Sequence, residues 1–199
     1  MSHSDNTAAD VLLKLVGGPQ AVTAFLRAHG ILHMRVDRDE QAIADEFQFR
    51  RVAGRETAAQ RDRRLRAGYE AYLRDPRDRA TPAAAALFLR KLWRGELLSA
   101  AATRRLLGLL YAQTIPDRLR AGIAADVLLA DKCGTSYTID GMTAAFNDIG
   151  ILTWPDGRTV IVAAFLTGSH APEGRMSALF TALAQAVATE VHPALTSTR

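Results

Sequence analysis

An α+β fold is predicted by three features of the sequence. Segments with helical spacing fill the first 124 residues, strand-like runs appear only after residue 126, and one amphipathic segment, 173–191, follows them. The strand-like runs are 127–129, 145–153 and 160–167, and Pro155-Asp156-Gly157 between the last two predicts an antiparallel hairpin. Two regions follow from this order: a helical lobe over 1–124, and an antiparallel sheet with its covering helix over 125–199.

The elements carry their own punctuation. Residues 7–15 have helical spacing and stop at Gly17-Gly18. Pro19 then stands where a first helical residue tolerates proline, and the next helix runs to Gly30. Residues 31–80 read as an extended loop, irregular at first and then densely charged. Within it the stretch 45–76 alternates arginines (50, 51, 55, 61, 63, 64, 66 and 74) with Asp45, Glu46, Glu56, Asp62, Glu70 and Asp75. Leu65, Tyr69 and Tyr72 recur at helical spacing, so its second half reads as a salt-bridged surface helix, with a lid over a nearby site as the alternative. Thr81-Pro82 opens a further helix closed by Gly95, residues 97–112 form another, and 117–121 a short one. The run Val160 to Leu166 lacks polar alternation and predicts a strand buried on both faces in the middle of the sheet.

Bulk properties exclude several function classes. A net charge of +4 raises the question of a nucleic-acid partner, yet the arginines are interleaved with acids instead of forming one basic stripe. No apolar run reaches the roughly 20 residues of a membrane span. The first residues lack the basic and apolar regions of a signal peptide. The lone Cys133 permits no intrachain disulfide, and the histidines show no metal-ligand spacing, so neither metal nor cofactor is expected.

Three short patterns carry chemistry by their order: Ser4-Asp5-Asn6 at the head of a helix, Glu40 on the loop Val36-Asp37-Arg38-Asp39-Glu40, and Lys132-Cys133-Gly134-Thr135 at the end of a strand. Each alone is weak; serine, aspartate and asparagine are what helix N-termini favour anyway. Together, with the text between them, they resemble the class A β-lactamases, whose motif set is Ser-x-x-Lys, Ser-Asp-Asn and Lys-Thr-Gly. The resemblance covers nearly the whole chain apart from the 45–76 insertion. It implies a β-lactamase/transpeptidase-like fold and a serine hydrolase opening a cyclic amide, a monomer with a small β-lactam or related substrate. It also implies a periplasmic or secreted location for a complete member.

Carried over by position, the resemblance gives Ser4 a proton-shuttling role and Asn6 a hydrogen bond to the substrate side-chain amide. Asp5 is structural. Glu40 matches the general base that activates the deacylating water, and Arg38 and Asp78 match the ion pair that clamps its loop. Lys132 sets positive charge near the substrate carboxylate and Ser4. Cys133 and Gly134 line the substrate edge, and the Thr135 main-chain N–H supplies an oxyanion donor.

Departures from the family pattern are specific. The asparagine four residues after the glutamate is Ala44, the middle residue of the triad is Cys133, and the arginine that backs up carboxylate binding on the next strand is replaced by Asn147. No serine has a lysine three residues later. The family's Ser-x-x-Lys helix lies upstream of Ser-Asp-Asn, where this chain begins, so residues 1–199 alone are expected to be inactive. An internal methionine taken as the start and a genuine truncation both remain open. The alternative to a hydrolase is a non-catalytic or decayed relative that binds penicillin or peptidoglycan.

Overall fold

The computed structural model describes residues 3–47 and 54–191. These fall into two compact units, Ser4–Ala84, and Met1–His3 with Ala85–Arg199.

The first unit holds four helices: α1 (Asn6–Leu15), α2 (Gly18–Ala28), α3 (Glu40–Phe47) and α4 (Ala58–Arg74). Asp5 caps α1, its carboxylate accepting from the Ala8 N–H at 2.7 Å. A short antiparallel stem follows α2. Met34 bridges Ala80, the Arg35 N–H donates to the Arg79 carbonyl at 3.0 Å, and the Thr81 N–H donates to the His33 carbonyl at 3.0 Å. Thr23 on α2 pins this stem by exchanging two hydrogen bonds with the Val36 main chain, at 2.7 and 2.8 Å.

The excursion that leaves the stem contains the helix read in the insertion, α4, and also α3, where its polarity predicts an irregular loop; Glu40 is the first residue of α3. Thr57 and Gln60 close a capping box that starts α4. Helix α4 buries Tyr69 while Arg61, Arg63 and Arg66 stay exposed, as the helical spacing of the insertion predicts. The arginines at 50 and 51 lie outside the described residues.

The second unit packs helices on both faces of one sheet. Its elements are α5 (Pro82–Trp93, with its first turn in the other unit), α6 (Ala100–Tyr111), a 3-10 turn (Arg120–Gly122), β1 (Leu128–Thr135), β2 (Thr138–Ile139), β3 (Met142–Thr153), β4 (Thr159–Ser169) and α7 (Glu173–Val191). All strand pairings are antiparallel. β1 and then β2 run along one side of β3, and β4 pairs along the other.

The central strand is therefore β3. Among the described residues β4 pairs with β3 alone, and most of it is only half-buried. Within these residues the run 160–166 thus stands at an edge and mostly half-buried, where its apolar text predicts a strand covered on both faces. An unbroken apolar run does not distinguish a central strand from an edge strand whose residues are partly covered.

Strand alternation sorts side chains to the two faces. Leu129, Phe146, Leu152 and Val162 face α7, where they pack with Phe180 and Ala184. Phe146 and Phe180 meet edge to face, with ring centres 5.5 Å apart. Ala130 and Ile149 face Leu89, Leu92, Leu106 and Leu110 of α5 and α6. The turn before β1 lies so close to α7 that a Cβ at Gly122 would sit 2.3 Å from the Thr181 carbonyl oxygen, so only glycine fits there.

Candidate active site

In the first unit, the start of α3 is built by two aspartates. Asp39 caps the helix, its carboxylate accepting from the Ala42 N–H at 2.7 Å. Asp10, one turn into α1, accepts from the N–H groups of Glu40 at 2.8 Å and Gln41 at 3.0 Å. These bonds take up donors that a helix N-terminus leaves without a partner, and both carboxylates oppose the positive end of the helix dipole. Glu40 is thus fixed through its main chain while its side chain stays exposed. The sequence reading passed over Asp10. Its signal is its place on the same helix as Ser4-Asp5-Asn6, but the contact with residue 40 spans thirty residues.

Asp10→Ala is expected to remove both bonds and destabilise the first turn of α3 by about 1–2 kcal/mol, as for the loss of a cap. Amide hydrogen exchange at Glu40 and Gln41 measures this. Unchanged protection would show that Asp10 does not hold the helix.

Arg38 and Asp78 are joined. Arg38 Nε donates to Asp78 Oδ2 at 2.7 Å, and Asp78 Oδ1 accepts from the N–H groups of Asp37 at 2.6 Å and Arg38 at 3.1 Å. Asp37 answers by accepting the Asp78 N–H at 2.8 Å. The cluster is larger than a pair. Arg38 also meets Glu46 and, at 3.2 Å, Asp75, while Arg77 reaches Glu46 at 2.7 Å and Asp75 at 3.0 Å. Hydrogen bonds from Arg77 hold the Asp75 carboxyl well below the usual carboxylate range. Two members, Glu46 and Asp75, belong to the insertion, so the inserted segment is tied into the clamp at both of its ends.

Ala44, one turn beyond Glu40, is buried. Helix α4 packs against α3, and Tyr72 is stacked on Tyr69 at 6.2 Å with its hydroxyl pushed upward by burial. Ser4 adopts a left-handed backbone (φ 52°) immediately before the cap of α1, and Asn6 is the first residue of that helix.

In the second unit the predicted residues end β1. The strand runs from its apolar start through Asp131, Lys132 and Cys133, opposite Gly150, Ile149 and Asp148. The Ser136 N–H donates to the Ala145 carbonyl at 2.8 Å. By antiparallel alternation, Gly134 and Lys132 also turn their main chains toward β3, whereas the N–H groups of Cys133 and Thr135 point away from it. The Thr135 N–H therefore lies on the outer edge of β1, along which no strand pairs among the described residues. Lys132 projects on the α6 side of the sheet, with Nζ 2.6 Å from the Cys133 carbonyl oxygen. Cys133 faces the α7 side and is buried, which pushes its thiol upward and makes it a poor nucleophile.

The residue that sequence reasoning missed is Arg118. Its guanidinium donates to the Thr135 hydroxyl and to the carbonyls of Gly134 at 3.0 Å and Asn147 at 2.5 Å, and it lies 3.7 Å from the centre of the Phe146 ring. The side chain is only 4% exposed. Asn147 is no arginine, as expected, but its main chain receives one from the turn before β1. Nearby, Arg120 pairs with Asp131, a structural ion pair beneath the same strand.

Comparison with known proteins agrees with this architecture. The family described as the β-lactamase enzyme family matches residues 1–191. The chain is 30% identical over 187 residues to the extended-spectrum β-lactamase PER-1 of Pseudomonas aeruginosa, covering 93% of this chain and 52% of that protein. It is 31% identical over 191 residues to the carbapenem-hydrolysing β-lactamase KPC of Klebsiella oxytoca, covering 96% and 55%. Among solved structures, the extended-spectrum β-lactamase TLA-3 superposes with a TM-score of 0.79 at 26% identity, over 96% of this chain and 61% of that one. A β-lactamase from Chitinophaga pinensis gives 0.75 at 29% identity, over 94% and 62%. The chain thus spans about half the length of the curated relatives it matches. By sequence and by fold, it belongs to the class A β-lactamase-like family of serine hydrolases.

Proposed function

We propose that residues 1–199 form the carboxylate-binding and deacylating part of a class A-type β-lactam hydrolase. The observation that carries this reading is Arg118, held on the Thr135 hydroxyl at the end of β1, the strand that also carries Lys132. A planar guanidinium next to a hydroxyl is suited to a substrate carboxylate. Thr135 then offers its outward N–H to the oxyanion of a tetrahedral intermediate, and Gly134 leaves that edge free of a side chain. Ser4 passes a proton to the departing nitrogen, Asn6 holds the substrate side-chain amide, and Glu40 activates the water that cleaves the ester. Arg38 and Asp78 keep the Glu40 segment in place. Cys133, buried as it is, shapes the strand beneath the substrate.

Acylation is assigned to none of these residues, because no serine among them has a lysine three positions on. The protein is proposed to act as a monomer in the periplasm or outside the cell. No single helix among the described residues is long and apolar enough to cross a membrane.

Purified residues 1–199 are expected to bind benzylpenicillin reversibly, to bind its methyl ester far less, and to form no ester with it. Titration calorimetry measures the binding, and mass spectrometry after denaturation looks for the adduct. A stoichiometric adduct on any serine would overturn the statement that none of these residues is acylated. Equal binding of acid and ester would overturn the carboxylate site. The alanine at 44, where the family pattern has asparagine, favours a second reading, a binding protein that does not turn substrate over.

A further inference from the structure

Arg118 reaches Thr135 from a backbone that side chains rarely adopt. Its φ is 56°, in the left-handed region, which costs a non-glycine residue free energy and persists only where the surroundings impose it. Three contacts do so. The Arg118 N–H donates to Ser177 Oγ at 3.1 Å, the Arg118 carbonyl accepts from Thr181 Oγ1 at 3.1 Å, and the next amide, Leu119 N–H, donates to Asp148 Oδ2 at 3.3 Å. Two of these come from α7. The third comes from β3, one residue after Asn147, whose carbonyl takes the far end of the same arginine. Adjacent residues of β3 thus hold the guanidinium and the amide that follows its own residue.

Asp148 is a costly choice for that place. It is 1% exposed, its Oδ1 has no hydrogen-bond partner among the described residues, and Asp131 lies close by. Burial and Asp131 push its carboxyl up to about 7, against the pull of the Leu119 N–H and Arg118. An apolar residue would pack there without these costs. What it would lack is the acceptor for Leu119.

We infer that Asp148 is a positioning residue for Arg118: by accepting the Leu119 N–H it locks the left-handed turn and so aims the guanidinium at Thr135. Only the last consequence, on substrate binding, rests on the proposed β-lactam site. The turn itself can be tested without it. Asp148→Leu removes the acceptor at similar volume, while Asp148→Asn keeps an acceptor oxygen and removes the charge.

The readouts on residues 1–199 are amide hydrogen exchange at Leu119, the Nε–Hε resonance of Arg118, and the affinity for benzylpenicillin. Exchange at Ile149 and Ile151 in β3 reports the integrity of the core. With D148L, exchange at Leu119 should rise about tenfold, as for the loss of one buried hydrogen bond. The Arg118 resonance should shift and benzylpenicillin should bind about tenfold more weakly, while Ile149 and Ile151 keep their protection. D148N should keep all readouts within about twofold of the parent. Unchanged exchange and resonance in D148L, or equal damage by D148N, overturns the inference. If D148L loses the β3 protection as well, D148N decides: a retained turn supports the inference and a lost one overturns it. A parent that does not bind benzylpenicillin refutes the proposed site, and the exchange and resonance data still judge Asp148.

Discussion

Glu40→Gln, in a form of the protein that carries the acylated serine, is expected to leave acylation intact and to slow deacylation by about a hundredfold or more. The hypothesis rests on where Glu40 stands. It is the first residue of α3, its N–H is held by Asp10 at 2.8 Å, and its side chain is exposed instead of being buried in the packing of the unit. Glutamine has the same shape and leaves the Asp10 bonds untouched, so the change removes basicity and little else. Hydrolysis of an ester near neutral pH needs a base within hydrogen-bond reach of the attacking water, and such a base contributes about 10²–10⁴-fold. Ala44, one helical turn on and buried, offers that water no side-chain partner, so the parent is expected to deacylate slowly already. Rapid mixing with a chromogenic cephalosporin should show one burst and then near silence for the variant. Steady turnover equal to the parent's would make Glu40 a surface acid and the protein a binder of penicillins.

Much of this architecture is legible in the sequence because turns and caps are written in it. Gly17 separates α1 from α2, which opens on Gly18-Pro19, Thr81-Pro82 opens α5, and Pro155-Asp156-Gly157 sets the hairpin between β3 and β4. The bounds of α7, Glu173–Val191, follow from its amphipathic spacing. The elements that escaped are those stabilised by charge. Helix α3 has little apolar surface of its own and stands on Asp10, Asp39 and the contacts of Glu46 with Arg38 and Arg77. In β1 the motif marks the strand's end, but the pairing of Arg120 with Asp131 under it is not legible. Neither partnership leaves a periodic trace.

The candidate site divides the same way. Its residues from local motifs, such as Ser4, Glu40 and Lys132, can be found by family resemblance. Arg118 sits in an Asp-Arg-Leu-Arg stretch that suggests only a short polar helix. Its meaning depends on a left-handed turn and on hydroxyls of α7 some sixty residues later. Replacement of the arginine expected on β3 by Asn147 suggested a lost function, whereas the structure brings a guanidinium to the same strand from another segment.

Arg38→Met should loosen the whole segment that carries Glu40. The Arg38 side chain is 6% exposed and meets three carboxylates, of Glu46, Asp75 and Asp78, whose own exposures are 43%, 13% and 19%. Removing one partner of a buried pair costs about 3–5 kcal/mol because the other charges stay behind. Here water screens the acids in part, Asp75 keeps Arg77 and Asp78 keeps two main-chain donors. The expected loss in the Ser4–Ala84 unit is therefore smaller, about 2–3 kcal/mol. Trp93 and Trp154 both lie in the other unit, so tryptophan fluorescence will not report it, and amide exchange over residues 35–47 is the suitable measurement. Adding Asp78→Asn should recover part of the loss, since an amide oxygen still accepts from the N–H groups of Asp37 and Arg38 without leaving an unpaired charge. Acid should release the same clamp. The carboxyls of Asp37 and Asp75 are held below their ordinary value of 3.8 by Arg35 and Arg77, so their contribution is full above that pH and is lost as the pH falls below it. If Arg38→Met leaves exchange over 35–47 unchanged at neutral pH, the cluster is an ornament of the surface. The hold on Glu40 would then rest with Asp10 and Asp39 alone.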